Sequence, residues 1–226
     1  MRFARRDTAQ GIEFWVFDVD EVLQPALEHI WADSRCGDGW RKVFDPRAHQ
    51  MDRAFGNLQR LLEPALRQMS HLDAVPWQDA LAEVCRRFRP AGVDWWLTGS
   101  AALAVRGAPI IPHDLDLIVA GADSCRAGDL LLDGLIEPVA RGEWHLSEWW
   151  GRAFVGARIE WAGGVTAAAD EPEVTDFGFT AAAALETVPW RGWEIRVPPL
   201  ELQRAVSLRR GLDDRVAIID RLSSAS

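Results

Sequence analysis

The strongest periodicity in the chain is helical. Met51, Phe55, Leu58, Leu61, Leu62, Leu66 and Met69 recur three and four residues apart, which predicts a helix over 46–69. Asp45 and Pro46 are placed to cap it and fill its first turn. A second apolar stripe, Leu81, Val84, Cys85 and Phe88, predicts a helix over 77–88, ended by Pro90-Ala91-Gly92. Strand-like runs follow at 93–97 and 115–119, separated by Thr98-Gly99-Ser100 and a short helix over 101–106. The leucines and Ile136 between 122 and 139 predict another helix. Residues 144–154 are rich in aromatics and show no clear period. At 157–161 the alternation is clean, with Ala157, Ile159 and Trp161 on one face and Arg158 and Glu160 on the other. A hairpin is predicted at 186–188 and 193–197, turning at Trp190-Arg191-Gly192, before helices over 200–209 and 216–222.

Strands alternating with helices give an α/β (α+β) class. Residues 1–75 divide off as a mostly helical extension or cover, and 76–226 as the main domain with a helical C-terminal region. In the first part the run over 12–22 predicts a strand, and the Asp- and Gly-rich residues 33–40 predict a loop.

Composition narrows the partners. Thirty-four Asp and Glu against 25 Lys and Arg leave a formal charge of −9. Such a chain has no extended basic groove for nucleic acid, although a local basic patch for tRNA stays open. Cys36, Cys85 and Cys125 show neither metal-ligand spacing nor a disulfide framework. No run approaches the roughly 18–20 apolar residues of a membrane span. A cytoplasmic protein without a membrane partner is the expectation.

The chemistry concentrates between residues 98 and 117. Asp114 and Asp116 lie two apart on a predicted strand, so both carboxylates share one face while Leu115 and Leu117 point to the core. Two adjacent carboxylates repel, and a divalent cation relieves them. Gly99 lets backbone approach a phosphate closely, and Ser100 with the neighbouring amides can hold an anion.

Thr98-Gly99-Ser100, thirteen intervening residues and Asp114-Leu115-Asp116-Leu117 resemble the signature of the DNA polymerase β-like nucleotidyltransferase superfamily. Thr98 departs from its apolar first position. Glu160, flanked by Ile159 and Trp161, matches the family's third carboxylate on a later strand; Glu143 and Glu148 are rivals. The resemblance spans about residues 93–162. It implies a small mixed β-sheet with helices packed on one side, extended here by N-terminal and C-terminal helices. It implies an NTP such as ATP as substrate, two Mg²⁺ ions held by Asp114, Asp116 and Glu160, and transfer of NMP to a hydroxyl or phosphate with pyrophosphate release. Gly99 and Ser100 would hold the β- and γ-phosphates. Arg204, Arg209 and Arg210 are candidates for the triphosphate, with Arg106 a further one. His113 adjoins Asp114, and Trp95-Trp96 and Trp149-Trp150 could stack a base, though such residues more often pack a core. The acceptor stays open between a small molecule such as an aminoglycoside and a tRNA or protein. The last would match the nucleotidyltransferases of toxin–antitoxin pairs and bring an antitoxin partner.

Two alternatives remain. One is a catalytically silent nucleotide-binding protein on the same fold. The other rests on Asp18 and Asp20 after an apolar strand, which resemble the first motif of haloacid dehalogenase-like phosphatases; Glu21 and Val22 replace the Gly and small hydroxyl residue expected there.

Overall fold

A computed structural model describes residues 1–31, 34–141 and 146–224. Its centre is a five-stranded mixed sheet in the order β5-β6-β9-β8-β7. These strands are Trp95–Thr98 (β5), Leu115–Val119 (β6), Leu135–Arg141 (β7), Ser147–Val155 (β8) and Ala157–Val165 (β9). Only the β6–β9 pair is parallel. One face carries Leu97, Leu115, Leu117, Val119, Ile159 and Trp161, all buried in the main core. Against it pack helices α2 (Met51–Met69), α3 (Trp77–Ala91), α4 (Gly99–Val105) and α5 (Ser124–Leu130). The opposite face carries Trp96, Ile118 and Ala162, with Trp150, Phe177 and Leu185 packed against them. A mixed sheet with helices packed on one side is the arrangement that the resemblance implies.

The N-terminal part departs from the mostly helical expectation. Strands Arg2–Thr8 (β1), Gly11–Phe17 (β2), Arg35–Cys36 (β3) and Gly39–Phe44 (β4) form an antiparallel sheet in the order β1-β2-β4-β3, with helix α1 (Gln24–Ile30) between β2 and β3 in the chain. β1 is a charged edge strand with no apolar alternation, so its identity comes from pairing with β2 and not from its own pattern. Ile12, Phe14 and Val16 face the core that the main sheet also uses, and the Phe14 ring stands 4.8 Å from Phe44 and 4.9 Å from Phe55 of α2.

Two boundaries also differ. Asp45 does not cap α2; its carboxylate accepts from the Arg47 amide at 2.8 Å and closes a turn, and the helix starts after Gln50 at φ +65°. The predicted 122–139 helix ends at Leu130. Gly134 lies where a Cβ would stand 2.6 Å from the Phe154 carbonyl oxygen, and that close approach lets the chain turn into β7. Leu135, Ile136 and Glu137 are buried in succession, so the strand shows no alternation to read. The hairpin of Glu186–Trp190 (β10) and Trp193–Val197 (β11) turns through Arg191 and Gly192, both at positive φ. Short helix α6 (Phe179–Ala183) precedes it, and helices α7 (Leu200–Arg209) and α8 (Asp213–Ser224) close the chain. Ile219 of α8 packs on Leu103 and Ala108.

Candidate active site

Register brings the carboxylates together. Antiparallel pairing sets Asp116 opposite Thr98, and parallel pairing sets it beside Glu160. Both side chains rise from the face opposite α2–α5. Gly99 begins α4 at φ +66°, and a Cβ there would lie 2.5 Å from Asp116 Oδ2. Only glycine therefore combines this left-handed turn with so close a carboxylate. Gln203 of α7 donates to the Gly99 carbonyl at 3.2 Å and ties the C-terminal helix to the turn.

A cavity of about 430 Å³ opens at this point, lined among others by Gly99, Asp116, Glu160, Trp150, Asp176 and Arg210. Arg215 lines it as well. Thr98 Oγ1 donates to Asp176 Oδ2 at 3.1 Å. Burial raises the Asp176 carboxyl above its usual range despite that bond. Burial, and then the neighbouring Arg210, lowers the Arg215 guanidinium.

The three acids have different surroundings. Asp116 carries no hydrogen bond or ion pair among the described residues. Burial, then Asp114 and Glu160, push its carboxyl well above the usual range. Asp114 is ion-paired with Arg158; burial still pushes it up, with Glu160 adding to the effect. Glu160 Oε1 accepts from Arg152 Nε at 2.6 Å and from Arg158 at 2.8 Å. Burial works to raise Glu160, but Arg152 and Arg158 outweigh it and hold the carboxyl low.

The chain of charges continues inward. Arg152 pairs with Glu137 of β7 and donates to the Ile30 carbonyl at 3.1 Å. Glu137 also receives Trp31 Nε1 at 2.7 Å and Lys42 Nζ at 2.6 Å. The N-terminal sheet is thus bonded to the residues that hold Glu160.

The other sequence candidates fall in different places. Of the arginines, Arg210 reaches the cavity lining. Arg204 pairs with Asp220 at 2.6 Å, Arg209 with Glu173 at 3.0 Å, and Arg106 with Glu186 at 2.5 Å. Ser100 follows Gly99 in α4 but is not among the lining residues. His113 stands edge-on to His71 at 4.9 Å. Trp150 lines the cavity, Trp96 packs under it, Trp95 meets Phe88, and Trp149 lies under Arg141. Glu148 sits beside Gly164, and Glu143 lies outside the described residues. Asp20 caps the 3-10 turn Glu21–Leu23, and Asp18 pairs with Arg2 at 3.2 Å. Sequence reasoning missed Arg215, Asp176 and Arg152. Arg158 was visible on the Glu160 face, but only its contacts show that it bridges two acids.

No group of three or more His, Cys, Asp or Glu side chains is disposed to hold a metal ion among the described residues, and Arg158 stands between Asp114 and Glu160. The donor chemistry nonetheless fits a hard divalent cation: every candidate ligand is a carboxylate oxygen, and Asp116 is unpaired in the cradle left by Gly99.

A Gly-Ser turn and register-matched acids on a mixed sheet define an α/β protein with a carboxylate site beside a cavity. The chain is similar to several solved structures, each at 18% identity or less. A Thermotoga maritima protein provisionally designated a nucleotidyltransferase matches at 18% identity over 66% of this chain and 94% of its own, with a TM-score of 0.49. The lincosamide antibiotic adenylyltransferase LnuA, with lincomycin bound, matches at 13% over 66% and 99%, TM-score 0.48. ANT(2″)-Ia in complex with adenylyl-2″-tobramycin matches at 13% over 65% and 94%, TM-score 0.44. No protein-family model and no curated protein sequence matches the chain.

Proposed function

We propose that this chain is a divalent-cation-dependent nucleotidyltransferase that moves NMP from an NTP to an acceptor and releases pyrophosphate. The observation that carries the reading is Asp116, unpaired and pressed against Gly99, in register with Glu160 at the floor of a cavity that Arg210 and Arg215 also line. Asp116, the unpaired acid beside the ion-paired Asp114 and Glu160, would hold Mg²⁺, which would supply charge neutralisation on the triphosphate and activation of the acceptor oxygen. The turn at Gly99 and Ser100 receives the terminal phosphates. Arg210 and Arg215 meet phosphate oxygens through their guanidinium forks. Trp150 and Phe177 give the cavity an apolar wall for the base or sugar. Arg204 and Arg209, already ion-paired, act on the helix surface and not on phosphate.

The cavity volume of about 430 Å³ is that of a small-molecule pocket. Asp116, Glu160 and Asp176 outnumber Arg210 and Arg215 in its lining, which suits a cationic hydroxyl compound such as an aminoglycoside. A tRNA, or a protein as in toxin–antitoxin pairs, is the competing acceptor. Pyrophosphate release measured with each NTP against aminoglycosides, tRNA and protein separates these classes. A rise with a small cationic alcohol alone supports the reading, and release only with tRNA or protein replaces the acceptor. The arginines on Asp114 and Glu160 favour one second reading, a silent nucleotide-binding protein. It predicts NTP binding with no pyrophosphate under any acceptor.

A further inference from the structure

Arg158 occupies a position that the transferase reading leaves unexplained. Parallel register places Asp116 beside Glu160 and Leu115 beside Ile159. Period two then puts Arg158 on the face that carries the three acids. Its guanidinium bonds Asp114 with one terminal nitrogen and reaches Glu160 Oε1 at 2.8 Å with the other. The side chain is only 7% exposed, and its Nε is buried without a partner. Such a group cannot leave for solvent without abandoning two carboxylates. Arg152 locks the far side, with Nε on Glu160 and a terminal nitrogen on both Glu137 and the Ile30 carbonyl. Two of the three acids are therefore neutralised by guanidinium groups that the fold fixes. Asp116 is not.

A divalent ion such as Mg²⁺ demands several oxygens at close, near-octahedral spacing. Oxygens already turned toward a guanidinium do not offer that spacing, whereas fixed Arg and metal can do the same electrostatic work at a phosphoryl centre. We infer that Arg158 is a built-in cation that holds Asp114 and Glu160 in place of one divalent ion, so that the site takes a single ion at Asp116 together with the nucleotide. The inference rests on the nucleotidyltransferase reading and makes Arg158 a positioning residue. It differs from the two-ion site that the motif implies.

Equilibrium dialysis with Mn²⁺ and a non-hydrolysable NTP analogue counts the ions directly. The wild-type chain is expected to retain one Mn²⁺, Arg158→Lys one, and Arg158→Met two, with Asp116→Asn retaining none. Where transfer is measurable, its Mg²⁺ dependence rises from first order in the wild type to second order in Arg158→Met. The wild-type and Arg158→Lys counts stand even if Arg158→Met fails to fold. Two ions on the wild-type chain, or one on a folded Arg158→Met, overturn the role of Arg158 and leave the transferase reading in place. No ion on any chain, with or without analogue, overturns both.

Discussion

Gly99 and Asp116 illustrate what single residues do here. Replacing Gly99 by Ala imposes a left-handed backbone cost of about 1–2 kcal/mol and drives a methyl into Asp116. Gly92 has nearly the same φ, at +65°, but a Cβ there meets nothing within 4 Å. Melting curves should show a stability loss for both variants, and a loss of Mn²⁺ retention for Gly99→Ala alone. Asp116→Asn removes a charge that burial and two neighbouring acids disfavour. Without divalent ions its melting temperature at pH 8 should rise above the wild type, while transfer falls about 10³-fold, equivalent to about 4 kcal/mol. Glu137 gives the opposite case. Burial works to raise its carboxyl, but Arg152 and then Lys42 hold it below the ordinary glutamate value of 4.5. Its contribution to stability is present above that value and is lost as pH falls through its lowered folded value. Glu137→Gln should cost about 3–5 kcal/mol at pH 7 by leaving Lys42 and part of Arg152 unpaired. Its melting temperature should fall less steeply with acidification below pH 4.5 than that of the wild type. Of the site itself, Gly99, Asp114, Asp116 and Glu160 stand in a sequence-readable motif. Asp176 and Arg215 come from a polar loop and a terminal helix whose local patterns carry no sign of where they fold.

Among the elements, α7 and β6 have the bounds that their patterns predict: α7 presents one buried face and one more open one, and β6, though buried at Leu115, Leu117, Ile118 and Val119, is marked by the two acids at its start. β7 is buried on consecutive positions and reads as a continuation of α5. β1 fails for the opposite reason, being mostly charged and without apolar alternation, so that only pairing defines it. Cys85 belongs to the well-read class. It lies on the apolar stripe of α3, and burial pushes its thiol up to about 12. An aromatic disulfide reagent should therefore modify exposed Cys36 quickly and leave Cys85 unreacted until denaturant is added. Rapid labelling of Cys85 in the native chain would contradict the packing of α3 on the sheet.

At the level of the whole molecule, the four-stranded and five-stranded sheets share one hydrophobic core. Ile12, Phe14 and Val16 of the first sheet belong to the same cluster as Leu117, Ile159 and Trp161 of the second. Trp31 and Lys42 bond Glu137, and through Arg152 they reach Glu160. The N-terminal sheet is thus part of the scaffold that sets the site's charges, a role that residues 1–75 did not disclose because the partner Glu137 lies in a strand hidden by its own burial. Transfer of label from an α-labelled NTP to an acceptor tests the central claim most directly, run with wild type, Asp116→Asn and Asp18→Asn. The account predicts labelled acceptor and an equal amount of pyrophosphate from wild type and Asp18→Asn, and about 10³-fold less of both from Asp116→Asn. Pyrophosphate undiminished in Asp116→Asn, or orthophosphate release that disappears with Asp18→Asn, would contradict it.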